Sequence, residues 1–108
     1  MEGKISKAEL LKRVKATIKA ISPDAEIILY GSRARGTARA DSDWDLLILL
    51  PDTMNKTMEM RIKDALYDIE LETGTVLSSI VRSKKEWSSS RYRVVPLHQE
   101  IEKDGIAI

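Results

Sequence analysis

Two aspartates two positions apart, Asp43 and Asp45, follow a glycine–serine pair, Gly31-Ser32, across a ten-residue gap in the segment GSRARGTARADSDWD. Side chains two apart at the start of an extended run project from the same face. Two carboxylates held together in this way repel unless a cation lies between them. A hard divalent ion such as magnesium answers that need, because it takes oxygen ligands and can carry nucleotide phosphates. Gly31 permits a tight turn and a close approach of backbone to a ligand. Ser32 adds a hydroxyl and, if a helical turn starts there, backbone amides suited to phosphate. Arg33 and Arg35 lie near enough in sequence to contact phosphates, and Arg39 is a more remote candidate.

The elements that must position this set can be read from periodicity. Glu26 to Tyr30 and Asp45 to Leu50 are nearly continuous apolar runs, as strands covered on both faces would be. An amphipathic helix is predicted from about Ser6 to Ala20, with Leu10, Leu11, Val14 and Ile18 on its stripe and Ser6 with Glu9 as a capping box. A second helix is predicted from about Thr53 or Asn55 to Leu71, with Met54, Met58, Ile62, Leu66 and Ile69 inward and Gly74 as its stop. Thr75 to Val81 reads as a third strand and residues 82–95 as turn and loop, with a short extended piece at Tyr92 to Val95. Pro96 opens a last helix through Lys103, Gly105 ends it, and Ile106 to Ile108 adds an edge strand. The order is α-β-β-α-β-α, an α/β (α+β) fold with a small mixed sheet backed by helices.

Trp44 points away from Asp43 and Asp45 and is expected to pack. Trp87, Tyr92 and Tyr30 are read as core or interface aromatics, and His98 as an exposed residue of the last helix without a catalytic role. Glu70 and Glu72 decorate the end of the second long helix.

The 108 residues suit one domain, 1–108, and 43% hydrophobic with 32% charged residues suits a folded globule rather than a disordered tail. The absence of cysteine excludes disulfides, thiolate zinc sites and cysteine nucleophiles. One histidine cannot build a multi-histidine metal centre. No apolar run is long enough to span a membrane, and MEGKISKAEL lacks the apolar core of a signal peptide, so a cytoplasmic protein with no membrane association is expected. The formal net charge of +1 hides segregation: residues 1–40 carry nine bases and four acids, and residues 41–74 three bases and nine acids. The basic block runs into Arg33, Arg35 and Arg39, and the acidic block opens with Asp41, Asp43 and Asp45.

The stretch IILYGSRARGTARADSDWDLLILL closely resembles the signature of the DNA polymerase beta-like nucleotidyltransferase superfamily. The Gly31-Ser32 pair, the spacing, the Asp43/Asp45 pair and the hydrophobic strands on both sides carry the resemblance. The short length is similar to that of the minimal nucleotidyltransferases, often the antitoxin half of a toxin–antitoxin pair. The resemblance implies a polymerase beta-like fold and two-metal transfer of a nucleoside monophosphate. Gly31 and Ser32, with Arg33 and Arg35 near them, would bind the nucleoside triphosphate (ATP is expected), and Asp43 and Asp45 would be the catalytic residues holding Mg2+. Among small relatives the precedent is AMP transfer to a tyrosine of a HEPN-like toxin, so such a helical partner, or a second copy of the chain, is expected. Direct nucleic-acid recognition is not, although Lys7, Lys12, Arg13, Lys15 and Lys19 make the first helix basic.

One departure qualifies the match. The family usually supplies a third carboxylate from the next core strand, and TVLSSIV contains no acid; Ser79 is the residue expected nearest that place. The chain could therefore transfer slowly with one metal, borrow a ligand, or act as a catalytically inactive antitoxin by binding alone.

Overall fold

The computed structural model describes residues 5–51 and 55–108. Helix α1 spans Lys7–Ile21, and the Ser6 hydroxyl accepts from the Glu9 amide as its N-cap. Strand β1 (Glu26–Tyr30) follows, then a single turn of helix, α2 (Ser32–Arg35), and strand β2 (Trp44–Leu50). Helix α3 runs Lys56–Thr73 and is capped by the Asn55 side chain; the expected start at Thr53 and the inward Met54 lie outside the described residues. Strand β3 (Leu77–Ser83), two short helical turns α4 (Lys84–Trp87) and α5 (Ser90–Arg93), helix α6 (Pro96–Asp104) and the two-residue strand β4 (Ile106–Ala107) complete the chain.

The strands form one mixed sheet in the order β3-β2-β1-β4. β1 is antiparallel to β2 and to β4, whereas β2 and β3 run parallel with α3 as their crossover. Parallel strands need such a connection, and α3 supplies it. The mixed α/β arrangement with a small helix-backed sheet matches the sequence expectation.

β2 sits inside the sheet, and its unbroken apolar run is explained by cover on both faces. Leu46, Ile48 and Leu50 join Leu10, Val14 and Ile18 of α1 and Ile62, Leu66 and Ile69 of α3 in the larger core. Leu47 and Leu49 turn the other way onto Ile101 of α6, with Ile28, Ile80, Trp87 and Leu97 around them. Each fully buried leucine or isoleucine contributes roughly 1.5–3 kcal/mol. This alternation sends the odd-numbered side chains of β2 toward α6.

Three local expectations are corrected. β3 begins two residues later than expected, because Thr75 and Val76 still belong to the turn after α3, and the Trp44 amide donates to the Val76 carbonyl. Residues 82–95 are more ordered than a loop: Ser83 makes a capping box with Glu86, and the expected extended piece at Tyr92 to Val95 is instead the end of a helical turn. His98 is buried, at 2% exposure. Its ring stacks on Trp87 with centroids 4.4 Å apart, and Nε2 lies 2.9 Å from the Trp87 carbonyl oxygen. Among the described residues no helix is long and apolar enough to cross a membrane.

Candidate active site

Gly31 joins β1 to α2 with φ of 75° and ψ of −158°, a backbone state that side-chain-bearing residues rarely adopt. A Cβ there would also overlap Asp45 Oδ2. Glycine is therefore required twice, once by the turn and once by the carboxylate packed against it. The Ala34 and Arg35 amides both donate to the Gly31 carbonyl, at 3.1 Å each. The preceding amides of Ser32 and Arg33 have no intrahelical acceptor, as at the start of any helical turn.

Asp45 is paired in register with Tyr30 on one side and with Ser78 on the other. Together with Gly31, Ser32 and Arg35 it lines a cleft of about 340 Å³, closed on the far side by Leu97, Glu100 and Asp104 of α6. Burial raises the Asp45 carboxyl above its ordinary value, the neighbouring charge of Asp43 raises it further, and Arg35 opposes both. The Tyr30 hydroxyl is raised in turn, by burial first and by the Asp45 charge second. These are the effects expected when a negative charge is held near a second one and partly out of water.

The predicted site residues separate into two groups. Gly31, Ser32, Arg35 and Asp45 meet in the cleft, and Asp43 acts on Asp45 from the exposed end of the loop before β2. Arg33 points elsewhere. Its guanidinium lies 4.2 Å over the Trp44 ring, and Nη2 donates to the carbonyls of Ala40 and Ser42 at 3.2 and 2.9 Å. Arg33 thus ties α2 to the loop that carries Asp43. It lines a different, larger cleft of about 710 Å³ with Lys7, Asp41, Trp44 and Thr75. Trp44 is buried, in keeping with a packing role.

The third-acid question has a structural answer in β3. Ser78, not Ser79, stands beside Asp45; Ser79 is on the opposite face, where its hydroxyl accepts from Lys63 Nζ at 2.9 Å. Glu70 and Glu72 are structural: Glu70 accepts from the Leu77 amide at 2.8 Å, and Glu72 pairs with Arg13 at 2.6 Å. Among the described residues no three Asp, Glu, His or Cys side chains are grouped to hold a metal. Asp43 and Asp45 nevertheless fit magnesium. Their mutual repulsion is what a cation relieves, and Mg2+ is commonly held by one or two carboxylates plus waters and substrate phosphates. Sequence reasoning missed Glu100 and Asp104, which lie far along the chain but four apart on one helix face.

A sharp glycine turn into a short helix, with Asp43 and Asp45 at the start of the neighbouring strand of a mixed sheet, characterises this α/β domain. A family model described as a nucleotidyltransferase domain matches residues 11–104, and the chain belongs to that family. It is similar to a probable protein adenylyltransferase, MntA, of Haemophilus influenzae, with 28% identity over 97 residues, covering 90% of this chain and 85% of the relative. Its fold is similar to that of a chain in a crystal structure of a toxin–antitoxin with AMP-PNP, at a TM-score of 0.63 and 18% identity, covering 89% of this chain and 69% of that one. A chain in a crystal structure of a mutant toxin–antitoxin MntA-HpeT gives a TM-score of 0.58 at 19% identity, covering 97% of this chain and 72% of that one.

Proposed function

We propose that this nucleotidyltransferase moves AMP from ATP to a hydroxyl acceptor, a tyrosine of a partner toxin, in a magnesium-dependent reaction. The observation that carries the proposal is the convergence of Gly31, Ser32, Arg35 and Asp45 on one cleft, with Asp43 coupled to Asp45. The likeness to a probable protein adenylyltransferase and to a toxin–antitoxin with AMP-PNP supports the choice of nucleotide and partner.

Ser32, its amide and Arg35 hold the triphosphate, while Asp43 and Asp45 hold Mg2+. Bound there, the ion neutralises phosphate and leaving-group charge. The acceptor oxygen forms a bond to the α-phosphorus, the bond to the bridging oxygen breaks, and pyrophosphate leaves as the acceptor proton passes to solvent. Arg33 contributes by holding the loop that carries Asp43, rather than by touching phosphate. Calorimetric titration with ATP tests the site. Binding is expected with Mg2+ present and is expected to weaken by at least tenfold in Asp45→Asn; magnesium-independent binding unaffected by that substitution would refute the assignment.

A second reading, an inactive antitoxin that blocks its partner by contact, is favoured by one observation: Ser78 offers no acid beside Asp45. Under that reading, Asp43→Asn and Asp45→Asn leave toxin inhibition intact.

A further inference from the structure

Helix α3 carries two apolar stripes, and the core uses only one of them. Ile62, Leu66 and Ile69 are buried with Leu10, Val14 and Ile18 of α1. On the opposite face Met60, Tyr67 and Leu71 stand in solvent, 56, 58 and 66% exposed, with Asp64 between them. Positions 60, 64, 67 and 71 recur at spacings of four, three and four, the seam of a helix that packs along another helix. Single apolar side chains on a surface are ordinary, but a row of them along one helix face marks an interaction surface.

The charges beside the seam say what fits it. Arg61 and Asp68 flank it on the side where Glu72 reaches Arg13 of α1, and both are exposed. Among the described residues neither of the two is in an ion pair. On the other flank Lys63 and Glu70 are held within the chain, Lys63 by the Ser79 hydroxyl and Glu70 by the Leu77 amide. A second α3 laid antiparallel, with a two-fold axis between Ala65 and Leu66, sets Met60 against the partner's Leu71 and Asp64 against the partner's Tyr67. It also brings Arg61 beside the partner's Asp68, and the symmetry makes each of these contacts twice. Apolar side chains then meet apolar ones, a carboxylate lies under a phenol that can donate to it, and base meets acid. A parallel pair would instead set Asp64 against its own copy at the centre of the seam.

We propose that the outer face of α3 is a dimerisation surface that takes a second copy of this chain, antiparallel, about a two-fold axis. The inference is independent of the transferase reading. A single helix seam is smaller than a standard interface, so the pair is weak and forms as concentration rises.

Sedimentation equilibrium over a range of loading concentrations tests the proposal. The wild-type chain is expected to pass from monomer to dimer, and Leu71→Asp to remain a monomer. Arg61→Asp and Asp68→Arg each turn two symmetric attractions into repulsions and should weaken the dimer by at least roughly tenfold. The charge swap Arg61→Asp/Asp68→Arg makes the faces complementary again and should restore the dimer, as should an equal mixture of the two single variants. That restoration separates lost complementarity from lost folding. A wild-type chain that stays monomeric at every concentration overturns the proposal, even if another protein binds this face. A dimer indifferent to Leu71→Asp or to the single reversals overturns it by placing the contact elsewhere. A swap that leaves the chain monomeric overturns the antiparallel pairing.

Discussion

At the scale of single residues, the site is built from conflicts that folding alone would not favour. Gly31 is the clearest, since its positive φ and the approach of Asp45 Oδ2 both exclude a side chain. Gly31→Ala is expected to cost about 1–3 kcal/mol, from backbone strain with displacement of Asp45, and chemical denaturation would measure it. Asp45 carries a second conflict. Its folded-state carboxyl is raised by burial and by Asp43, so the folded chain holds that proton to higher pH than the unfolded chain does. Wherever the native state binds more protons, stability falls as pH rises. Asp45 therefore lowers stability progressively from the ordinary carboxyl range up through its raised value, and the loss is complete above it. Asp45→Asn should remove that slope and make the ligand-free protein more stable at neutral pH, as read from thermal melts across pH. A variant less stable than the parent at neutral pH would contradict this account. The Gly31-Ser32 and Asp43/Asp45 positions were legible in the sequence because a fixed spacing between two strands leaves them few places to go. The direction of Arg33 was not legible, because two arginines in one turn of helix face different clefts.

At the scale of elements, long periodic segments were read well and short ones were not. α1 and α3 declare themselves through apolar stripes many residues long, and β1 and β2 through apolar runs. The start of β3 is not legible because TVLSSIV has no alternation strong enough to mark it; the start is set by the turn after α3 and the pairing of Trp44 with Leu77. The register of β3 on β2, with Asp45 opposite Ser78, decides which serine stands beside Asp45. The burial of His98 is hidden in the sequence for a related reason. α6 spans only Pro96–Asp104, too short for its buried stripe of His98 and Ile101 to stand out, and the stacking partner Trp87 comes from α4. The loop between α2 and β2 is held by Arg33 through two carbonyls and the Trp44 ring. Arg33→Ala is expected to destabilise the fold by about 1–3 kcal/mol and to weaken magnesium-dependent ATP binding, because Asp43 loses its support. Arg33→Lys should rescue little, since a lysine cannot hold the forked contacts and the stack together. Urea melts and the ATP titration give the two readouts; full rescue by lysine would reduce Arg33 to a simple surface charge.

At the scale of the whole molecule, the near-neutral net charge resolves into a division of labour. The acidic block opens with Asp41, Asp43 and Asp45, of which Asp45 lines the cleft, and the basic block reaches the cleft at Arg35. Arg33 instead serves the loop, and the other bases of α1 lie mostly at the surface. The acids of α6 were invisible as site residues because β4 brings the end of the chain back to β1, a pairing that local sequence does not encode. The cleft lined by Gly31, Ser32, Arg35 and Asp45 is bounded on its far side by α6, and under the proposed function a partner protein brings the acceptor to it. Intact-mass spectrometry of the partner toxin, co-expressed with this chain, tests that account most directly. The toxin is predicted to gain the mass of AMP on a tyrosine with the wild-type chain, and to gain nothing with Asp43→Asn/Asp45→Asn. An unmodified toxin that the wild-type chain still silences, or equal modification with the double variant, would contradict it.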